Sequence, residues 1–315
     1  MTKSVEAFGI TKWYSGHKKE NHPALNAVDL SVETGQLYGL VGPDGAGKTT
    51  LLRILATVLA PTSGQARLAG FDVMKQSEQV RARLGYMPQA FSLYPDLNVM
   101  ENLRFFADIN GVPREKQKTR IDELLEFARL TDFTKRRSEN LSGGMRKKLA
   151  LACALVHEPE ILLLDEPTTG VDPVSRRELW QLLANVIQRG VTVVVSTPYM
   201  DEAERCDVVS IIYQGSMLIS GSPLALEQKM PFKILEVKAK PRGVLRKVAD
   251  QTQGVLGWRA VGDRLRLSVD DPIETRARIQ KKLSKAGAEI SILREARMMM
   301  EDVFIYLVEQ QEKQA

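Results

Sequence analysis

The chain has 315 residues, of which 43% are hydrophobic and 26% charged, the composition of an ordinary globular protein. This length accommodates one large α/β domain and a second, smaller one. No apolar run approaches the roughly 18 to 20 residues that a membrane-spanning helix needs. The first residues lack the apolar stretch of a signal peptide, so we expect a cytosolic protein. The two cysteines, Cys153 and Cys206, have no metal or redox spacing, which excludes a disulfide framework.

The net charge of +5 leaves two interpretations of the surface open. The charges either form a mixed, solvated surface or favour docking near anionic lipid or a membrane partner. A nucleic-acid partner is not expected, because the basic residues are scattered along the chain and are not interleaved with aromatic residues.

Apolar periodicity predicts the elements of the first half of the chain. Alternation over residues about 5 to 40 indicates antiparallel strands. A short apolar strand over Leu37–Val41 follows, then a glycine-rich turn and a helix over Lys48–Leu59. Residues about 96 to 157 have apolar spacings of three and four, which predict a mostly helical region.

The second half begins with two continuous apolar runs, Ile161–Leu164 and Val191–Val195. Such runs are typical of strands buried on both faces of a parallel sheet, and Arg176–Gln188 is predicted as the crossover helix between them. A hairpin, indicated by Gly215 and Gly221, then ends this part of the chain.

Composition changes near Lys229–Pro231, where we predict a boundary between a domain over residues 1–228 and one over 229–315. Beyond it the patterns predict strand, helix, two strands, helix, strand and a last helix over Glu301–Gln311. The β-α-β-β-α-β order predicts a small ferredoxin-like α+β domain.

A phosphate-binding loop is the strongest local signal, because eight consecutive residues match G-x-x-x-x-G-K-[ST] between a predicted strand and a predicted helix. Its glycines let backbone N–H groups point at phosphates, and the helix start adds its positive dipole end. Lys48 is expected to contact the β- and γ-phosphates, and the Thr49 hydroxyl to bind Mg²⁺. The candidate ATP-binding residues of this loop are Gly42, Pro43, Asp44, Gly45, Ala46, Gly47, Lys48, Thr49 and Thr50.

Two carboxylates, Asp165 and Glu166, come directly after the apolar run Ile161–Leu164. At the carboxyl end of a buried strand, Asp165 is placed to hold Mg²⁺ through water, and Glu166 to polarise the attacking water. An acidic turn after a strand is the alternative. The phosphate-binding loop elsewhere in the chain favours the catalytic interpretation.

A third motif consists of Leu141, Ser142, Gly143, Gly144 and Met145, directly before a predicted helix over Arg146–Val156. Ser142 could simply be the N-cap of that helix. The same geometry is also a second anion site, suited to a γ-phosphate presented by another subunit.

With these motifs in their order along the chain, the sequence resembles the nucleotide-binding domain of ABC ATPases from about Val5 to Pro223. The resemblance implies a P-loop α/β fold with a mixed sheet core, an antiparallel β subdomain and a helical subdomain over about residues 90–160. It makes Leu141–Met145 the counterpart of the LSGGQ signature, with Met145 in place of glutamine.

Three further residues take roles from the resemblance alone. Gln89 matches the Q-loop glutamine, which contacts Mg²⁺ and faces the membrane partner. Tyr14 matches the aromatic residue that stacks on adenine, although an ordinary surface aromatic is the alternative. Asp172 matches the D-loop.

The amino-acid sequences of several segments, including Tyr199–Glu204 and Met300–Phe304, resemble those of ABC-2-type exporters in particular. The resemblance implies an ATPase that uses ATP and Mg²⁺ and closes as a dimer with a second ABC ATPase domain, identical or different. It also implies coupling to a separate membrane permease and a peripheral location on the cytoplasmic face of the inner membrane. Cargo selection would belong to the permease.

One position departs from the family pattern. The family places a switch histidine after the strand Val191–Val195, where this chain has Pro198. Proline has neither a titratable ring nor a backbone N–H, so it cannot contact a γ-phosphate. The three histidines, His17, His22 and His157, are distant in sequence. ATP binding is therefore expected, while hydrolysis at this chain's own site is expected to be impaired.

Two alternatives to an exporter ATPase follow. A soluble ABC ATPase of translation or DNA maintenance is disfavoured, because the chain has no tandem cassette and no long heptad insertion. A hydrolysis-impaired regulatory or partner subunit of a heterodimeric complex is favoured only by Pro198.

Overall fold

The computed structural model describes residues 2–14, 22–90 and 93–314. The chain divides between Pro223 and Leu224 into two compact parts, here called the N-terminal unit and the C-terminal unit.

The N-terminal unit contains both strands and helices. Its strands are β1 (Lys3–Lys12), β2 (Leu25–Glu33), β3 (Leu37–Val41), β4 (Ser63–Leu68), β5 (Phe71–Asp72), β6 (Leu84–Met87), β7 (Ile161–Asp165), β8 (Thr192–Thr197), β9 (Val208–Tyr213) and β10 (Ser216–Gly221). Its helices are α1 (Lys48–Leu55), α2 (Ser77–Arg81), α3 (Val99–Ile109), α4 (Arg114–Ala128), α5 (Gly143–Ala154), α6 (Pro173–Gln188) and α7 (Met200–Ala203). Two short 3₁₀ turns lie at Thr131–Phe133 and Ser138–Asn140.

A mixed sheet in the order β10-β9-β3-β8-β7-β6 forms the centre of the N-terminal unit. Neighbours from β9 to β6 are parallel, and only β10 runs antiparallel to its neighbour. Strands β7 and β8 are buried throughout and joined by α6, which confirms the predicted parallel pair with a helical crossover. Because parallel strands end at the same edge, the loops after β3, β7 and β8 come together.

An antiparallel sheet in the order β2-β1-β4-β5 covers part of this core, as the alternating pattern predicted. Val28, Leu30 and Val32 on β2 all lie in the core, at most 4% exposed. Helices α3, α4 and α5 occupy the region predicted to be helical.

The predicted extent of α1 is wrong at its carboxyl end. The helix stops at Leu55, because Thr57 has a left-handed φ of 62° and the Val58 amide bonds back to the Arg53 carbonyl. Helix α5 begins at Gly143, three residues before the predicted start, because the Ser142 hydroxyl accepts a hydrogen bond from the Met145 amide.

The C-terminal unit has the strands β11 (Lys233–Lys240), β12 (Val255–Val261), β13 (Arg264–Val269) and β14 (Glu289–Ala296). Its helices are α9 (Arg242–Asp250), α10 (Pro272–Lys285) and α11 (Met300–Gln314), preceded by α8 (Pro223–Lys229) at the junction. The antiparallel sheet order β12-β13-β11-β14 is that of a ferredoxin-like fold, as the sequence predicted.

One face of this sheet packs against α9 and α10 through a core that includes Leu235, Leu267 and Ile279. The other face carries charge, and Asp302 at the start of α11 receives hydrogen bonds from Arg266 and Arg259. Over the described residues, no helix combines the length and apolar character needed to span a membrane.

Candidate functional site

The loop between β3 and α1 requires glycine at two close approaches. A Cβ on Gly42 would lie 2.2 Å from the Ile212 carbonyl oxygen. At Gly47, where φ is +108°, it would lie 2.6 Å from the Ala24 carbonyl oxygen. Any side chain at Gly42 would therefore collide with the backbone of β9, and any side chain at Gly47 with the backbone just before β2.

Lys48, the first residue of α1, is buried and its ammonium faces the loop and a carboxylate. Its Nζ donates to the carbonyl oxygens of Gly42 at 2.8 Å and Pro43 at 2.9 Å. It also lies 3.3 Å from Glu166 Oε1. The positive charge thus lies at the centre of the loop, next to the carboxylate proposed to activate water.

Asp165, at the end of β7, is fully buried and has one carboxylate oxygen in use. Its Oδ1 accepts hydrogen bonds from the Thr49 hydroxyl at 3.1 Å and the Ser196 hydroxyl at 2.7 Å. Its Oδ2 has no hydrogen-bond partner among the residues that the structure describes. A buried, unpaired carboxylate oxygen beside a threonine hydroxyl suits a hard cation with oxygen ligands.

Glu166 follows in a strained backbone conformation, with a left-handed φ of +48°. Such strain is most often found at functional sites, where the surrounding contacts hold it in place. Its Oε2 accepts hydrogen bonds from Gln89 Nε2 at 2.9 Å and Thr169 Oγ1 at 3.2 Å. Three segments far apart in sequence, those with Lys48, Gln89 and Glu166, therefore meet at one carboxylate.

A buried cation, Lys147 on α5, lies behind this carboxylate. Its Nζ donates to the carbonyl oxygens of Gln89 at 3.3 Å and Glu166 at 3.4 Å. Burial lowers the pKa of Lys147, while the nearby carboxylates of Asp165 and Glu166 act in the opposite direction. No sequence pattern pointed to this residue.

Of these groups, Lys48, Thr49, Gln89 and Glu166 line a cavity of about 900 Å³. It is lined by Tyr14, His22, Pro23, Ala24, Asp44, Gly45, Ala46, Gly47, Lys48, Thr49, Thr50, Gln89, Glu166, Gln214 and Gly215. The Tyr14 hydroxyl lies 3.2 Å from Thr50 Oγ1, so the predicted aromatic residue and the phosphate-binding loop share one cavity. A volume of this size accommodates a nucleotide.

Five lining residues were missed by the sequence motifs: His22, Pro23, Ala24, Gln214 and Gly215. The turn between β9 and β10 is brought to the loop by a hydrogen bond from the Gly215 amide to the Ala46 carbonyl. Gly215 was identified as a turn residue, but only the sheet order places that turn beside α1.

The signature residues Leu141–Met145 and Asp172 are not among the described residues that line this cavity. Ser142 caps α5, and Gly144 packs against Ser175, where a Cβ would lie 2.3 Å from the serine hydroxyl oxygen. Asp172 caps α6 through its Oδ1, which accepts from the Val174 and Ser175 amides at 3.0 Å each.

Pro198 lies directly after β8, at the sheet edge that also carries Asp165. The carbonyl of the preceding Thr197 accepts a hydrogen bond from the Gly42 amide at 3.3 Å, which ties this segment to the phosphate-binding loop. Of the histidines, His22 lines the cavity and His157 contacts the Leu84 carbonyl, while His17 lies outside the described residues.

Comparison with known proteins gives the same identification as the motifs. The ABC transporter family profile matches residues 25–169. The chain is 50% identical over 222 residues to a protein of Escherichia coli (strain K12) named "Probable multidrug ABC transporter ATP-binding protein YbhF". That match covers 70% of this chain, which spans only 38% of YbhF. The chain is also 35% identical to the daunorubicin resistance ATP-binding protein DrrA3 of Streptomyces coeruleorubidus, covering 96% of this chain and 95% of the relative.

Among solved structures, the dimeric, post-hydrolysis ATP-binding cassette MJ0796 bound to ADP and Pi superposes with a TM-score of 0.64. It is 28% identical to this chain, covering 69% of this chain and 98% of the cassette. The match in fold, in motifs and over nearly the whole length of DrrA3 identifies the chain as a member of the ABC transporter family that carries the family's ATP-binding domain.

Proposed function

We propose that the chain binds ATP with Mg²⁺ in the cavity beside α1 and hydrolyses it, and that this ATPase activity powers an ABC-2-like exporter. The observation that carries the proposal is the convergence of Lys48, Gln89, Asp165 and Glu166, from three separate segments, around the phosphate-binding loop.

The cation site is inferred from the chemistry of its side chains. The Thr49 hydroxyl, the free Oδ2 of Asp165 and the Gln89 side chain are oxygen ligands of the kind that Mg²⁺ prefers. Bound Mg²⁺ would neutralise negative charge on the phosphate oxygens.

In the proposed reaction, water attacks the γ-phosphorus and its proton passes to the Glu166 carboxylate, while the bond to the β–γ bridging oxygen breaks to leave ADP and phosphate. Lys48 supports the charge that develops on the phosphate oxygens. Gln89, which donates to Glu166 Oε2, orients that carboxylate toward water.

The dimer and the membrane partner belong to the same proposal. Ser142–Met145 lie away from the cavity at the start of α5, where the helix would present its positive dipole end to an anion from a second ATPase domain. MJ0796 is a dimeric cassette, and DrrA3 is named for drug resistance, which supports an exporter that also requires a separate membrane permease. We place the chain at the cytoplasmic face of the inner membrane.

The test is ATP turnover by the tagged chain together with the membrane protein that copurifies with it. We expect Glu166→Gln to lower kcat about a hundredfold or more while ATP still binds, because the amide keeps the shape but cannot take the proton. Glu160→Gln, an exposed carboxylate away from the cavity, is the matched control. Parent-like turnover in Glu166→Gln would assign the proton acceptor to another residue.

A second candidate function is a partner subunit whose own site hydrolyses poorly, within a complex of two different ABC ATPase domains. It is favoured by Pro198, which presents no donor at the end of β8. In such a complex this chain's signature loop would serve the partner's site, and its own cavity would bind ATP mainly to hold the dimer closed.

Steady-state ATPase of the assembled complex separates the two candidates. If Pro198 impairs the site, Pro198→His raises kcat, on the order of a hundredfold when Glu166 is correctly placed. Ordinary turnover by a homodimer of the parent, with no gain from histidine, would reject the impaired-site alternative and leave the first candidate.

A further inference from the structure

A buried carboxylate, Glu202 on the short helix α7, has no part in the proposed chemistry and yet touches two elements of the site. Its side chain is fully shielded from solvent. Its Oε1 accepts hydrogen bonds from Arg176 Nε at 2.6 Å and Trp180 Nε1 at 3.1 Å, both on α6. Its Oε2 accepts from the Thr197 hydroxyl at 2.5 Å, at the end of β8. One buried charge thus joins α6 to β8.

The α6 end of this connection lies next to Asp172. The Arg176 amide donates to the Asp172 carbonyl, which is the first helical hydrogen bond of α6. Asp172 also caps the helix through its side chain. The Arg176 guanidinium additionally bonds both carboxylate oxygens of Asp201 and lies 4.8 Å from the Tyr199 ring centroid. Arg176 therefore contacts three residues of the segment after Pro198, namely Tyr199, Asp201 and Glu202.

The β8 end of the connection carries Pro198 and reaches the phosphate-binding loop. The Thr197 hydroxyl, besides donating to Glu202, accepts the Tyr199 amide at 3.1 Å across Pro198. The Thr197 carbonyl accepts the Gly42 amide. Because charge-assisted hydrogen bonds in a dry environment are strong and costly to break, α6 and the Pro198 segment are expected to move together.

We propose that Glu202 is a positioning residue that, through Arg176, Trp180 and Thr197, couples the Asp172 end of α6 to the Pro198 segment. This inference rests on the proposed function, in which a second ATPase domain contacts Ser142–Met145, because Gly144 of that loop packs against Ser175, three residues after Asp172. Arrival of that domain would then be transmitted through α6 and Glu202 to the end of β8, beside the phosphate-binding loop.

The experiment uses the full chain with Thr197→Val and Thr197→Ser. Valine keeps the branched shape but removes the hydroxyl that bonds Glu202, whereas serine keeps the hydroxyl. Backbone hydrogen exchange is measured over residues 173–177, at the start of α6, and over 198–203. We expect Thr197→Val to accelerate exchange about fivefold or more in both segments, and Thr197→Ser to stay within about twofold of the parent.

Hydrogen exchange in the segment farther from each substitution distinguishes coupling from a local loss of packing. Asp172→Ala is expected to accelerate exchange over residues 198–203 in return, because coupling between two sites is reciprocal. For both Thr197→Val and Asp172→Ala, acceleration confined to the segment next to the substitution would overturn the proposal. Glu202→Gln, which retains the shape of the side chain and removes its charge, is a second substitution for the same hydrogen-exchange measurement.

A functional readout completes the test. We expect Thr197→Val to lower kcat of the assembled complex about fivefold with the Kd for ATP within about twofold of the parent, and Thr197→Ser to restore kcat. An unchanged kcat, or a parallel loss of ATP affinity, would also contradict a positioning role. If the parent binds no ATP, the proposed function fails, but the exchange measurements still decide whether the coupling exists.

Discussion

Both units of the chain bury charged side chains, and they pair them differently. In the N-terminal unit, Lys48 lies 3.3 Å from Glu166, and Asp165 keeps one buried carboxylate oxygen without a partner among the described residues. In the C-terminal unit, both carboxylate oxygens of Asp302 are occupied. Oδ2 accepts from Arg266 at 2.7 Å and from the Met299 amide at 2.9 Å, and Oδ1 accepts from Arg259 at 3.0 Å.

This difference separates a binding site from a structural element. Burying a charge is costly, and the cost is offset only where every lone pair finds a donor. The saturated Asp302 cluster attaches α11 to β12 and β13. Asp165 Oδ2 retains binding capacity that a cation would use, and the neighbouring Glu166 lines the cavity of about 900 Å³.

The largest expected effect is on the structural cluster. Asp302→Ala leaves the Arg266 guanidinium, itself 5% exposed, without its carboxylate. We expect the C-terminal unit to lose about 3 to 5 kcal/mol of unfolding free energy, measured by hydrogen exchange of the β11 and β13 amides. The control is Glu295→Ala, an exposed carboxylate on β14, which should change stability by less than about 0.5 kcal/mol.

The pH dependence of this cluster sharpens the comparison. Burial raises the pKa of Asp302, but hydrogen bonds from Arg266 and the Met299 amide lower it more, so the pKa lies below its usual range. A depressed pKa contributes stability above the unfolded pKa of about 3.9, and that stability is lost as pH falls through the folded pKa. The stability difference between the parent and Asp302→Asn should therefore be full at pH 7 and shrink below about pH 4. A constant difference would show that Asp302 acts by packing alone.

The next effect concerns binding at the unsaturated site. Lys48→Ala should weaken MgATP binding about tenfold or more, because it removes the positive charge at the centre of the loop. Lys75→Ala, an exposed lysine that does not line the cavity, is the control. Titration with a fluorescent ATP analogue measures both, and equal affinities would contradict the phosphate-site assignment.

The smallest expected effect comes from removing the C-terminal unit. A chain ending at Pro223 keeps every proposed ATP ligand, so its Kd for ATP should stay within about twofold of the parent. The predicted boundary near Lys229 is tested by the same experiment with a chain ending at Gln228. A truncated chain that is insoluble or does not bind ATP would show that the two units share one core.

The sequence by itself determined the local chemistry of this protein. The proposed phosphate binding by Gly42–Thr49 depends on contiguous residues, whose spacing is visible in the sequence alone. The buried strands β7 and β8, the ferredoxin-like order of the last elements and the capping by Ser142 are likewise local, since short-range patterning specifies them. The end of α1 was mispredicted because the left-handed φ of Thr57 has no glycine to signal it.

Only the tertiary structure decided which distant residues meet. Gln89, Lys147 and Glu166 converge because β6, β7 and α5 pack together, and nothing in the spacing of the motifs specifies that meeting. The Gly215 turn lines the cavity because β9 pairs with β3. In the sequence, Glu202 is one of several acidic residues in the Tyr199–Glu204 segment, and no motif distinguishes it from the others. Its burial against Arg176 and Trp180 follows from the packing of α7 between α6 and β8, a contact between elements that no local pattern encodes.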